Sequence, residues 1–349
     1  MANIYGREMT RSEVMKRVGD ISQIAGAKQY ILQSGKAKGV AAIEVKTGSG
    51  FSFTVLPDRG LDVAWADYRG IAVGFISKTG VVSPAFYDNR ESEFLRSFYG
   101  GLVTTCGLTY MGAACSDQGE NLGLHGRINN TPAEDISVYN EWENDEFIIK
   151  IRGKMRESRV FGENIVLTRE ITTKLGSNHF TINDSIVNEG FTTQPLMLLY
   201  HCNFGYPIVS EDSYMNIPQC KTTPRDNTAA EGIYDCKTFD VPTHNYSEQV
   251  FYHDFISSQG DEIRAELFNP TQGNNGIGAY IKFNKRQLPY FIEWKQMGEG
   301  DYVVGLEPST WYTQGRAEAR KRGELQYINP GQKNIYNIEI GVFEGMIKN

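Results

Sequence analysis

The sequence predicts an all-β fold, a large antiparallel β-sandwich, and two features carry that prediction. The first is composition: 36 glycines stand beside 18 Phe and 19 Tyr in 349 residues. Tight turns need glycine, and aromatic side chains pack well on pleated surfaces. The second is apolar alternation with a period of two, broken by turn signals too closely spaced to leave room for many long helices.

In chain order, the first element is a short helix. Ser12 to Val18 follows Thr10, whose hydroxyl is placed to cap, with Glu13 three residues on. Met1 to Asp20 therefore reads as a short helical appendage, and residues 21–349 as a single β-sandwich domain. Phe51, Phe53 and Val55 then alternate with Ser52 and Thr54, as Val63 and Trp65 do with Asp62 and Ala64. Later strands share one parity at Phe147, Ile149 and Ile151, at Phe180 and Ile182, and at Tyr336, Ile338 and Ile340. Turns are expected at Gly48-Ser-Gly50, Tyr68-Arg-Gly70, Gly176-Ser-Asn178 and Gly273-Asn-Asn-Gly276. A second helix is expected at Arg316 to Arg322. No internal repeat, low-complexity tract or linker argues for a further boundary.

Composition narrows the function. The formal charge is −7, without a Lys/Arg cluster, so no electrostatic term favours nucleic acid or anionic lipid. No apolar run approaches the roughly 20 residues of a membrane helix. Arg7, Glu8, Arg11, Glu13, Lys16 and Arg17 leave no apolar centre for a secretory signal, which makes the cytoplasm the expected compartment. Cys106, Cys115, Cys202, Cys220 and Cys236 are odd in number and form no C-x-x-C pair, so neither disulfides nor structural zinc is expected. The expected partner is a small molecule.

Five histidines are informative because they are few. His125 lies in Gly123-Leu-His-Gly-Arg127, where flanking glycines let the backbone approach a ligand; a turn histidine bonded to backbone is the plainer alternative. His201 follows the apolar run Leu196 to Tyr200, at the end of a buried strand, with a satisfied core histidine as its alternative. His179 and His244 read as surface residues and His253 as structural. Glu307, in Tyr302-Val-Val-Gly-Leu-Glu-Pro308, is a carboxylate in an apolar setting that raises its basicity; Glu293 is a second such position. Asp58-Arg59-Gly60 with Asp62 reads as a turn closed by its own salt bridges, or as an arginine offered to a hydroxylated ligand. Trp294, Trp311, Phe204 and Tyr206 are aromatic candidates for the C–H face of a sugar. There is no P-loop, dinucleotide fingerprint, His-Glu-x-x-His or Gly-x-Ser-x-Gly pattern.

The order of several segments carries a resemblance. They are Leu56-Pro-Asp-Arg-Gly-Leu-Asp62, Phe98-Tyr-Gly-Gly-Leu-Val-Thr-Thr-Cys-Gly-Leu108, Leu124-His-Gly-Arg-Ile-Asn-Asn-Thr-Pro-Ala133 and Tyr200-His-Cys-Asn-Phe-Gly-Tyr-Pro207. Leu288-Pro-Tyr-Phe-Ile-Glu-Trp-Lys295, Gly305-Leu-Glu-Pro308 and Asn329-Pro-Gly331 complete the set. In this order the chain resembles the aldose 1-epimerase (galactose mutarotase-like) superfamily, and most closely its DUF4432 branch. The resemblance implies a β-supersandwich and cofactor-free acid–base chemistry, without metal, on a small carbohydrate. Carried over by motif, Glu307 would take the anomeric proton, His201 would protonate the ring oxygen, and His125 would bind a sugar hydroxyl. Where the better-known mutarotases carry Gly-Arg-x-x-Asn-Arg, this chain has Gly101-Leu-Val-Thr-Thr-Cys-Gly107, without the arginine. Arg59 is the expected substitute. Lys295 and Asn203, which flank matched motifs, are further substrate-binding candidates, and an Arg/Lys pair in the site would favour an acidic or phosphorylated sugar. Two alternatives stand beside this reading: a carbohydrate-binding protein without catalysis, and a metal-dependent sugar isomerase.

Overall fold

The computed structural model describes residues 1–256 and 260–345. Three antiparallel sheets make up most of the fold. The eight-stranded sheet runs Glu134–Glu143, Glu146–Ser158, Asn164–Lys174, His179–Asn188, Lys333–Glu344, Ile277–Asn284, Glu262–Asn269 and Tyr214–Asn216. The six-stranded sheet runs Thr104–Leu108, Met197–Gly205, Asp301–Ser309, Tyr290–Gly298, Gln249–Phe255 and Cys220–Pro224. A five-stranded sheet is built from Gly26–Ile31, Ala41–Lys46, Phe51–Leu56, Asp62–Tyr68 and Ile71–Ala72.

Alternation explains the layering. Successive side chains of a strand point to opposite faces, so a half-buried strand needs apolar residues at every second position. Phe147, Ile149 and Ile151 of one strand, Phe180 and Ile182 of another, and Phe51 and Phe53 of a third meet in the main core. Phe53 and Phe180 lie 4.5 Å apart between ring centroids. Leu198, Tyr200, Cys202 and Phe204 add the core-facing side of the six-stranded sheet. Trp65 departs from its expected parity. The pairing of Phe51–Leu56 with Asp62–Tyr68 shifts register between Phe53 and Val55, so Val63 and Ala66 are buried while Trp65 faces outward.

The first helix spans Arg11–Met15 and carries the expected capping box, with Thr10 and Glu13 each satisfying the other's backbone amide. Ala2, Ile4, Val14 and Val18 of this N-terminal segment are buried in the main core. The other expected helix spans Arg316–Arg322, and a short third helix, Asn227–Glu231, has Asp226 as its cap. Three of the four expected turns lie outside strands and helices, and the fourth, Tyr68-Arg-Gly70, starts at the last residue of the strand Asp62–Tyr68.

Two faces of the six-stranded sheet do different things. One packs on the main core. The other carries Met197, Leu199, Val250, Tyr252 and Ile292 in a smaller apolar cluster and floors an open cleft.

Candidate active site

The cleft has a volume of about 210 Å³ and is lined by residues that include Phe94, Phe98, His125, His201, Arg225, Glu248, Trp294, Glu307 and Thr313. His201 and Glu307 come from adjacent strands. The register that pairs Cys202 with Leu306 and Asn203 with Gly305 sets them opposite each other. Their closest approach, His201 Nε2 to Glu307 Oε1, is 3.2 Å. Glu307 Oε1 is buried without a hydrogen-bond partner, and so, on the other side of its ring, is His201 Nδ1. Gly305 keeps the floor open: a Cβ there would stand 2.5 Å from Glu307 Oε1 and 3.2 Å from Trp294 Cβ.

His125 enters from a loop. Its φ is +60°, and its backbone is held by Gly112 O, which accepts from its amide at 2.9 Å, and by the Gly107 amide, which donates to its carbonyl at 3.1 Å. Gly126 must follow it, since a Cβ there would approach Gly107 O to 2.2 Å. The ring stands edge-on to that of His201 at 5.6 Å, and its Nδ1 is unpartnered. Phe94 packs on His125 and Phe98 on His201, at 5.4 and 5.3 Å. Trp294 completes the aromatic wall 5.2 Å from His201.

Burial decides the protonation states. It holds the Glu307 carboxyl well above the ordinary carboxylate range, and the Glu248 charge adds to this while Arg225 opposes it. It holds His201 well below the ordinary imidazole range, with His125 adding to the effect. His125 itself is pushed down to about 4. Burial thus favours the uncharged forms of both, a protonated Glu307 beside a neutral His201, which are acid and base groups of one pair.

Other expected residues lie elsewhere. Arg59 is fully buried outside the cleft, where its guanidinium stacks on Tyr99 and donates to the carbonyls of Asn129, Val82 and Ser97. The turn expected around it exists, but backbone carbonyls satisfy the arginine in place of Asp58 or Asp62. Lys295 points to the opposite face of its strand from Trp294, and its Nζ donates to the carbonyls of Asp235 and Thr238 at 3.0 and 2.8 Å. Asn203 is buried beneath the site, where its Nδ2 donates to Gly101 O and His201 O and so fixes the strand that bears the histidine. Glu293 lies on the far face with His253. Among the aromatic candidates only Trp294 lines the cleft; Trp311 and Phe204 are core, and Tyr206 is exposed.

Arg225 and Glu248 went unrecognised in the sequence because neither stands in a distinctive pattern. Arg225 Nη2 donates to Glu248 Oε1 at 3.0 Å, Arg225 Nε donates to Asp226 Oδ2 at 2.8 Å, and the Trp294 indole donates to Glu248 Oε2 at 2.8 Å. The pair closes one side of the cleft as a fixed, nearly neutral unit. Among the described residues no group of three or more His, Cys, Asp or Glu side chains has the geometry to hold a metal ion. Nor is any described helix long and apolar enough to cross a membrane.

Three antiparallel sheets with a two-histidine, one-glutamate cleft on the six-stranded one define a galactose mutarotase-like β-sandwich. Solved structures agree. A candidate aldose 1-epimerase from Klebsiella pneumoniae is 26% identical, with a TM-score of 0.86 over 93% of this chain and 86% of that one. A galactose mutarotase-like protein from Clostridium acetobutylicum (12% identity, TM-score 0.63, 92% and 99% covered) shares the fold. So does a galactose 1-epimerase from Lactobacillus acidophilus (12%, 0.62, 92% and 100%). No curated protein matches the sequence. The chain belongs to DUF4432, a family described as a domain of unknown function, whose profile matches residues 37–342.

Proposed function

We propose that this protein is an aldose 1-epimerase-like isomerase that interconverts the anomers of a neutral monosaccharide by acid–base ring opening. The observation that carries the proposal is the His201–Glu307 pair, 3.2 Å apart in a cleft walled by Phe94, Phe98 and Trp294.

Glu307 accepts the proton of the anomeric hydroxyl while His201 gives one to the ring oxygen; the bond from C1 to that oxygen breaks and an aldehyde forms. Rotation about the C1–C2 bond and reclosure, with the proton transfers reversed, yields the other anomer. The charged arrangement needed for opening, an ionised Glu307 beside a protonated His201, forms when sugar hydroxyls bond to the sides of these two residues that line the cleft. His125, Arg225 and Glu248 orient the remaining hydroxyls, and the aromatic wall takes the C–H face.

Neutrality of the substrate follows from the charges. Arg59 and Lys295 do not line the cleft, and Arg225 is already paired with Glu248 and Asp226. Among the described residues that line the cleft, no uncompensated cation is left for a uronate or phosphate. The test is NMR magnetisation exchange between α and β anomers across neutral hexoses and pentoses, uronic acids and sugar phosphates. Faster exchange for neutral sugars alone is the expected result. Acceleration confined to acidic sugars would overturn the charge argument, and ligand-induced stabilisation without faster exchange would mark a binding protein instead.

A further inference from the structure

The strands that floor the cleft also hold a second cluster on their other face. The strand Gln249–Phe255 turns Val250 toward the cleft and His253 away from it; Tyr290–Gly298 turns Ile292 and Trp294 toward it and Glu293 away. His253 Nε2 lies 3.0 Å from Glu293 Oε2. Its Nδ1 faces the edge strand Cys220–Pro224, 2.9 Å from Thr222 Oγ1 and 3.7 Å from Cys220 Sγ. Glu293 and His253 are buried, Glu293 Oε1 has no hydrogen bond, and Cys220 is half-buried at the sheet edge.

A thiol, an imidazole and a carboxylate thus stand in sequence, the order in which a carboxylate holds an imidazolium and the imidazolium holds a thiolate. The electrostatics agree. Burial pushes the Cys220 thiol up, but the hydrogen bond and charge of His253 outweigh it and bring the thiol below its ordinary range. Burial pushes His253 down, and Cys220 with Glu293 outweighs that and raises it to about 9. Cys236 lacks such a partner: burial and the Glu293 charge push it up to about 12.

We propose that Cys220, His253 and Glu293 form a peroxide-reactive thiol site, separate from the sugar cleft, at which hydrogen peroxide converts Cys220 to a sulfenic acid. The thiolate sulfur attacks one peroxide oxygen, so an S–O bond forms as the O–O bond breaks. The departing hydroxide takes the His253 proton and leaves as water; sulfur is oxidised by two electrons and the peroxide reduced by two. Thr222 and the now neutral His253 are left beside the new S–OH as hydrogen-bond partners. This inference does not depend on the sugar chemistry.

The experiment uses the full chain and iodoacetamide at pH 6.5, with site-resolved mass spectrometry. Cys115, the other cysteine that is not buried, is the internal reference. Cys220 is expected to alkylate roughly tenfold faster than Cys115, and its rate to fall by a smaller factor than that of Cys115 between pH 8 and 6.5, where an ordinary thiol loses about tenfold per pH unit. After hydrogen peroxide, dimedone is expected to tag Cys220, with the tag lost in Cys220→Ser and reduced in His253→Gln. Equal alkylation of the two cysteines, an ordinary pH profile at Cys220, or a dimedone tag on Cys115 alone would each overturn the proposal. Should His253→Gln fail to fold, the pH profile of the unaltered protein decides.

Discussion

Tyr200 and His201 are neighbours on one strand, yet their side chains enter opposite kinds of polar environment. On the Tyr200 side, Arg169 donates to both oxygens of Asp184, at 2.9 and 2.6 Å, and also to Asp62, Thr105 Oγ1 and Gly60 O. Tyr200 Oη donates to Asp184 at 2.7 Å, and Thr105 gives Asp62 its amide and hydroxyl. This network joins the three sheets, and its three charged side chains are fully buried. On the His201 side, Glu307, His201 and His125 are left with unpartnered atoms. Burial weakens any isolated charge in both places. Where every polar atom has a partner, the buried ion pairs brace the fold; where partners are withheld, burial favours the uncharged forms.

The comparison can be broken most visibly at Arg169. Arg169→Met strands two buried carboxylates and should cost about 3–5 kcal/mol of stability, read from the urea midpoint. A loss below about 1 kcal/mol would mean that the network is dispensable.

Glu307→Gln should do the reverse, slowing anomer exchange by roughly 10²- to 10⁴-fold while leaving the fold intact. Its stability should also depend on pH in one direction. The Glu307 carboxyl is raised in the folded state, so that state keeps a proton the unfolded chain releases above about pH 4.5, and stability falls as pH rises from there. Glutamine has no such proton, so the variant should gain on the unaltered protein between pH 5 and 8 in thermal melts. A constant difference across that range would contradict the protonated resting state. His125 has the opposite slope: with its folded value pushed down to about 4, it costs stability as pH falls from about 6.5 toward 4.

Arginine sharpens the contrast at smaller scale. Arg225→Ala should raise KM about tenfold with little change in kcat, because it removes contacts made equally to substrate and transition state. Arg59→Ala should lower the melting temperature and leave KM unchanged, since three buried carbonyls lose their donor. A shift in KM from Arg59→Ala would return that residue to the site. The smallest effect is expected from Tyr200→Phe, about 1–2 kcal/mol of stability and no change in exchange rate.

Much of this was written locally. The period-two alternation of Phe147, Ile149 and Ile151, the Thr10–Glu13 capping box and the glycines around His125 each depend on neighbours a few residues away, so chain order alone exposes them. The apolar context of Glu307 and the strand-end position of His201 were legible for the same reason. What the sequence could not carry was partnership across sheets. Arg59 and Lys295 looked available because a chain does not reveal that distant carbonyls already hold them, and Arg225 and Glu248 looked ordinary because their meeting at the cleft depends on two separate strands. The bulge that turns Trp65 outward arises only when its strand is paired. By itself, then, the sequence determined an antiparallel β-sandwich, the likeness to mutarotases and the three residues at the centre of the cleft. Only the tertiary structure decided which cations are occupied and which polar atoms are left free, because hydrogen-bond satisfaction is a property of groups brought together from far apart in the chain.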